Sequence, residues 1–326
     1  MMPTVAAGQT NELRLVALVV TFNRLAQLQK TVTRLLADQV NHVVVVDNGS
    51  SDGTSQWLAG QTDLRLRILR SAVNSGGAGG FETGMRAAMA EFDPDWLVLM
   101  DDDGRPDPGM IAYFRSLAPS GYDAVAAAVR YPDGRICEMN RPSVNPFWHR
   151  HSFLRTAVQG RMGFHLQNAA FTGPGCDVDG ASFVGLFLSR AAIARVGYPD
   201  GRLFLYGDDV LYTLGLRSAG GKIRFMPDLR FEHDCSTFDA ETRVARPVWK
   251  AYYLHRNALF VYRKASGWYF GLVLLAVLPK WWMKGRAYGP DRAAFRRLLR
   301  LGVVDGLRGR KNRSHAEIVA LADRPD

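Results

Sequence analysis

The chain has 326 residues, 47 % hydrophobic and 22 % charged, with a net charge of +10. That length and balance exclude a chain too polar or too short to bury a core, and suit one large domain with or without an appendage. The charge is uneven: residues 246–326 hold 17 Lys and Arg against 5 Asp and Glu, a balance of +12, so the remainder carries −2. Such a tail suits nucleic acid or an anionic membrane surface. Cys137, Cys176 and Cys235 are odd in number and widely spaced. They suit neither a disulfide framework nor a zinc site, and predict a reduced, cytoplasmic protein. Residues 1–14 include Gly8, Gln9, Asn11 and Glu12 and lack the apolar stretch of a secretion signal.

In chain order, residues 15–20 predict a strand ending in Thr21-Phe22-Asn23-Arg24. Leu25, Leu28, Val32, Leu35 and Leu36 then share one helical face. Residues 43–46 predict a second strand, broken by Asp47-Asn48-Gly49-Ser50, and 66–69 a third. The run Asn74-Ser75-Gly76-Gly77-Ala78-Gly79-Gly80 predicts a loop, with a helix from about residue 81 to 91. Residues 96–100 predict a buried strand that runs straight into Asp101-Asp102-Asp103. Strands alternating with helices predict an α/β fold with a mostly parallel central sheet and helices on both faces. Further on, strands are expected at 123–129, 178–189 and 223–231, and helices at 208–217 and 247–264. Residues 131–177, punctuated by Pro132, Pro142, Pro146 and Pro174, resist assignment. Residues 268–278 are the most hydrophobic stretch but too short to span a bilayer. With Trp281, Trp282, Lys280, Lys284 and Arg286 beside them, they fit either an interfacial segment or a core helix.

Three carboxylates at a strand tip sit where open α/β sheets place ligands. They repel one another unless a cation neutralises them, and their hard oxygens suit Mg²⁺ or Mn²⁺ holding phosphates. Asp103-Gly104-Arg105-Pro106 also fits a plain acidic turn. The loops after the first strands should gather at the same edge. Phe22 offers a ring for a base, Arg24 a guanidinium for phosphate, Asp47 an acceptor for a base or ribose, and the glycines backbone N–H groups. Together they describe a nucleotide-diphosphate and metal site. The glycine spacing fits neither a dinucleotide fingerprint nor a phosphate-binding loop ending in Gly-Lys-Ser/Thr. Asp208 and Asp209, at an expected helix start, suit either simple capping or a general base. His233 suits a metal ligand or a satisfied structural histidine.

The ordered set of these motifs, with Phe183-Val184-Gly185, Gly207-Asp208-Asp209, His233 and Tyr252-Tyr253-Leu254-His255-Arg256-Asn257, resembles the inverting family 2 glycosyltransferases of GT-A fold. It looks most like bacterial galactofuranosyl- and rhamnosyltransferases of cell-wall and surface-polysaccharide assembly. The resemblance spans about residues 14–264. It implies a nucleoside-diphosphate sugar donor of the UDP-galactofuranose or dTDP-rhamnose type and a glycan or polyprenyl-linked acceptor hydroxyl. It places Thr21, Phe22, Asn23, Arg24, Asp47, Asn48, Asn74, Gly76, Gly77, Asp101 and Asp102 on the donor. It makes Asp101, Asp103 and His233 ligands of Mn²⁺ or Mg²⁺. Asp209 becomes the base, with Asp208 beside it at the acceptor; Gly207, where many relatives carry Trp or Glu, leaves the choice within the pair open.

The expected organisation is a disordered stretch at 1–13, a GT-A domain at 14–245 and a basic helical region at 246–326. That region is expected to hold the protein at the inner face of the cell membrane, near a lipid-linked acceptor. Two rival readings are a sugar-nucleotide-binding protein without transfer, and nucleic-acid binding through the tail; no nucleic acid partner is expected.

Overall fold

The computed structural model describes residues 13–117, 119–235 and 244–324. The stretch expected to be disordered, 1–13, lies outside them apart from Leu13. The chain runs β1 (Leu15–Thr21), α1 (Leu25–Leu36), β2 (His42–Asp47), α2 (Thr54–Ala59), β3 (Leu66–Arg70), α3 (Gly76–Phe92), β4 (Trp96–Asp101), β5 (Gly104–Pro106) and α4 (Met110–Leu117). It continues through β6 (Ala124–Arg130), α5 (Arg150–Gln159), β7 (Cys176–Val178), β8 (Leu186–Ser189), α6 (Arg190–Val196), α7 (Asp208–Ser218) and β9 (Ile223–His233). Four helices close it: α8 (Lys250–Ser266), α9 (Phe270–Lys284), α10 (Arg292–Leu307) and α11 (His315–Asp323).

The sheet order is β3-β2-β1-β4-β8-β6-β9-β5, with β7 on β9. From β3 to β4 every pairing is parallel. Antiparallel pairings enter at β4–β8, β8–β6, β9–β5 and β9–β7. Strand β1 shows why its sequence is apolar throughout. Val16, Leu18 and Val20 face Phe81, Met85 and Ala88 of α3, whereas Leu15, Ala17 and Val19 face Leu28, Val32 and Leu35 of α1. A strand covered on both faces has no solvent side on which to place polar residues.

Two expectations need correction. The glycines at 76–80 are not a loop: α3 begins at Gly76. Glycine is a poor helix former, but here tight packing outweighs propensity. A Cβ on Gly80 would stand 2.4 Å from Val20, and one on Gly84 2.3 Å from Leu18. The missing side chains let α3 press against β1 and β2. Accordingly Gly84→Val is expected to cost about 1–3 kcal/mol through overpacking, read as a lower denaturant midpoint with an unchanged m-value. The stretch 178–189 is also not one strand, because residues 179–185 interrupt it between β7 and β8. Gly185 takes a left-handed φ of 72° there.

Pro279 does not end α9, which runs through it. None of that helix's residues is buried, which decides against a core helix. Among the described residues no helix is long and apolar enough to cross a membrane.

Candidate active site

Parallel register brings the candidate loops together. Thr21 at the tip of β1 lies level with Asp47 of β2, and Val20 with Asp101 of β4. The chain leaves all three strands at the same edge, as the sequence pattern predicts for adjacent parallel strands.

The aspartate triplet divides by environment. Asp102 is buried and accepts from Thr21 Oγ1 at 2.7 Å and from the Phe22 N–H at 3.4 Å. It ties the β1 loop to β4. Burial pushes its pKa up to about 7, against the opposing charge of Arg24. Asp103 is buried as well, between Arg24 and His233. Burial alone would raise its pKa, but the His233 bond and charge, with Arg24, hold it below the usual value. Asp101 is only half-buried. Burial and the charge of Asp103 push its pKa up to about 6, opposed by His233 and Arg24, with a further upward push from Asp209.

His233 arrives through β-pairing: Gly104 of β5 sits opposite His233 at the end of β9, so Asp103 adjoins the imidazole. Nε2 lies 3.1 Å from Asp103 Oδ1 and Nδ1 lies 2.7 Å from Asn140 Oδ1. Despite burial, the bonds to Asp103 and Cys137 and the carboxylate charges raise its pKa to about 10. Ligand atoms of Asp101, Asp103 and His233 all lie within 4.8 Å of one another. Metal–oxygen bonds of about 2.1 Å at right angles put neighbouring ligand atoms about 3 Å apart. The 3.1 Å between Nε2 and the Asp103 oxygen matches that edge. Two hard carboxylates and an imidazole therefore fit Mn²⁺ or Mg²⁺.

The upstream loops are more interlocked than the sequence implies. Phe22 is 40 % exposed. Asn23 takes a left-handed φ of 54° and its Oδ1 accepts from the Ser51 N–H, joining the β1 and β2 loops. Asp47 is fully buried, accepting from the Ser50 N–H and the Ser55 hydroxyl. In this arrangement it shapes the β2 loop, and a contact with a base would need that loop to open. Asn48 is buried too, donating to Gly76 O at 2.7 Å and accepting from Ser75 Oγ at 2.8 Å. It fastens the β2 loop to the start of α3. Asn74 accepts from the Gly76 N–H. Gly76 packs on the Phe204 carbonyl, whereas a Cβ on Gly77 would meet nothing within 4 Å.

Asp208 and Asp209 open α7. Asp208 is buried and Asp209 half-buried. Burial, then the Asp209 charge, raises the Asp208 pKa well above its ordinary value, and burial raises Asp209 to about 6. The turn before them is held from α8. Asn257 Nδ2 donates to the carbonyls of Leu203, Leu205 and Tyr206 at 3.0, 2.8 and 2.9 Å, and Arg256 donates to Leu203 O at 2.8 Å. Phe204 and Tyr206 hold left-handed φ values of 66° and 70° in that turn. The Arg256-Asn257 pair thus fixes an unusual backbone that leads directly into Asp208 and Asp209.

Sequence reasoning missed three residues. Asn140 and Cys137 back His233 from the unassignable 131–177 stretch, where no motif marks them. Lys250, in the first turn of α8, has its pKa lowered by burial and by the charge of Arg24, so the two cations lie near one another. A single lysine in an aromatic helix carries no signal of its own. The reading of the cysteines also changes: Cys137 and Cys235 come within 4.8 Å of each other and of His233. Tertiary pairing of β6, β9 and the segment after β6 joins positions that sequence spacing keeps apart.

Residues 16–174 match the family described as Glycosyl transferase family 2. Galactofuranosyltransferase GlfT1 of Mycolicibacterium smegmatis is 29 % identical over 226 residues, covering 68 % of this chain and 71 % of that protein. N-acetylglucosaminyl-diphospho-decaprenol L-rhamnosyltransferase of Mycobacterium tuberculosis is 26 % identical over 215 residues, covering 59 % of this chain and 66 % of that protein. The mannosyltransferase PcManGT of Pyrobaculum calidifontis, solved with GDP-Man and Mn²⁺, superposes with a TM-score of 0.55 at 16 % identity. That superposition covers 91 % of this chain and 88 % of the other. The chain therefore carries a Glycosyl transferase family 2 domain at residues 16–174 on a GT-A fold.

Proposed function

We propose that this enzyme is inverting and metal-dependent, and moves a sugar from UDP-galactofuranose or dTDP-rhamnose to a hydroxyl of a glycan or lipid-linked glycan in cell-envelope synthesis. One observation carries the reading: Asp101, Asp103 and His233 converge at the sheet edge while the charge of Asp209 acts on Asp101. The names of the galactofuranosyl and rhamnosyl relatives support the donor classes.

Asp101, Asp103 and His233 would hold Mn²⁺ or Mg²⁺, which supplies positive charge for the departing diphosphate. Phe22 stacks on the base at the rim, and Arg24 with Lys250 lends the cleft its remaining positive charge. Thr21, Asn23, Asp102, Asn48 and Asn74 set the loops around the donor, and Gly76 and Gly77 let it approach the start of α3. Asp209 accepts the proton of the acceptor hydroxyl as that oxygen attacks from the face opposite the diphosphate. A single displacement inverts the anomeric centre, and no covalent nucleophile is needed. Incubation with Mn²⁺ and a panel of nucleotide sugars should release nucleoside diphosphate from one of the two donor classes. Inertness toward every member of the panel would refute the reading.

We also propose a peripheral position on the anionic inner face of the cell membrane. Helix α9 exposes Leu272 and Leu275, the latter 74 % exposed, and Trp268 and Tyr269 precede it. Phe147 joins that surface to α5, stacking on Tyr269 and meeting Phe153 edge-on, where Leu154 and Val158 are exposed. Arg296 and Arg300 lie over Trp282. Aromatic and aliphatic side chains beside guanidinium groups suit a headgroup boundary. Truncation near residue 265 would be an unsafe test, because Leu298 of α10 packs on Tyr252 and Tyr253 of α8. The double variant Leu272→Glu, Leu275→Glu is expected instead to weaken binding to phosphatidylglycerol vesicles about tenfold or more. Equal sedimentation of variant and parent with the vesicles would count against this position.

A further inference from the structure

Behind the carboxylate cluster, His233 shows its second nitrogen to a different set of ligands. Cys137 Sγ lies 3.7 Å from Nδ1, and the ligand atoms of Cys137, Cys235 and His233 are mutually within 4.8 Å. Bonds of about 2.3 Å to sulfur and about 2.05 Å to nitrogen, at tetrahedral angles, separate the two ligand atoms by about 3.6 Å. The observed spacing is already that of a tetrahedral edge. The Met139 thioether lies 3.6 Å from Cys235 Sγ, a further soft group at the same point. Cys137 and His233 are buried, while Cys235 is half-buried and gives access from solvent.

We propose that Cys137, Cys235 and Nδ1 of His233 form a site for a thiophilic cation of the Zn²⁺ class, distinct from the carboxylate site that His233 serves through Nε2. Two thiolates and an imidazole are soft to borderline donors and prefer such an ion to Mg²⁺ or Mn²⁺. Binding releases the two thiol protons and a proton from Nδ1, and the ion takes the place of the Nδ1 contact with Asn140 Oδ1 at 2.7 Å. The Nε2–H then stays on Asp103. A neutral imidazole has one lone pair, so it serves one site or the other. The thiol site therefore antagonises the hard-cation site, and this consequence rests on the metal-dependent function proposed above.

The site itself can be tested without activity. Reduced, metal-depleted protein is titrated with Co²⁺ and the thiolate-to-cobalt charge-transfer absorption is followed. A saturable band that Zn²⁺ erases is expected, absent from Cys137→Ser and Cys235→Ser variants of unchanged circular dichroism, and retained in Asp103→Asn. Absence of the band in the parent, or its survival in Cys137→Ser, overturns the proposal. So does its loss in Asp103→Asn, which would make Asp103 part of the same ion's coordination and leave no separate thiol site. In a transfer assay, Zn²⁺ should raise the Mn²⁺ concentration needed for half-maximal rate about tenfold or more in the parent and leave that of Cys137→Ser unmoved. An equal shift in both proteins overturns the antagonism while the optical titration still judges the site.

Discussion

Asp209→Asn is expected to lower kcat by about 10²–10⁴-fold, the usual worth of a positioned general base, while donor binding stays within a few-fold. The expectation follows from where each member of the pair sits. Asp208 is buried beside the Asp209 charge, and its pKa is raised well above its ordinary value. The same burial and neighbouring charge oppose its ionisation, so it is the member of the pair less able to take the acceptor's proton. Asp209 is half-exposed, and burial raises its pKa only to about 6. It is ionised near neutrality and still basic enough to take a proton. The rate should accordingly rise with pH through about 6 and level above it, since the protonated form below that value cannot act as base. The Asp209→Asn variant should lack that limb. Asp208→Asn should be much milder, because an amide keeps the shape of the carboxyl and removes only a charge that burial disfavours. It should also raise Tm at neutral pH. A carboxyl whose folded pKa is raised favours the fold below its unfolded value, and that contribution is lost as pH climbs toward the folded pKa. Replacement by an uncharged amide removes the loss. If Asp208→Asn is the inactive variant and Asp209→Asn turns over normally, the assignment reverses. If Asp209→Asn loses donor binding along with turnover, its role is structural.

The second large effect is expected at Asp103. Asp103→Asn should reduce Mn²⁺-supported turnover by about 10³-fold, the equivalent of the several kcal/mol that a cation contributes to a departing oxyanion. The residue is buried between Arg24 and His233 and is the shared partner of both. At the proposed metal site its loss would remove one ligand and free the imidazole of another. Asn140→Leu tests the outer layer, since Asn140 Oδ1 holds Nδ1 of His233 at 2.7 Å. Mn²⁺ affinity weaker by roughly 10–100-fold is expected there, with kcat at saturating metal largely restored. Turnover that is indifferent to chelation and to Asp103→Asn would remove the metal from the mechanism.

Much of the fold was legible because its signals are local. Strands expected at 15–20, 43–46, 66–69, 96–100, 123–129 and 223–231 are found within one or two residues of those bounds. Buried parallel strands announce themselves as unbroken apolar runs. The short elements β5, α2, α4 and α6 were not legible, since three to eight residues carry too little periodicity to stand out. Helix α5 was hidden for a different reason: it buries none of its residues, so it has no apolar face to betray it. The glycines of α3 were misread because the β1 and β2 side chains that require them, Leu18, Val20 and Val46, lie far away in sequence.

By itself the sequence determined which strands end in loops at one edge, and so which of Thr21, Asp47 and Asp101 would be neighbours. Period and strand direction suffice for that, because adjacent parallel strands align their C-terminal tips. Only the tertiary structure decided how each neighbour is held. It buried Asp47 and Asn48 in loop-fastening bonds, split the aspartate triplet by burial, and drew Cys137, Asn140 and Cys235 around His233. Those outcomes depend on desolvation and on contacts between loops, neither of which leaves a periodic trace in the chain.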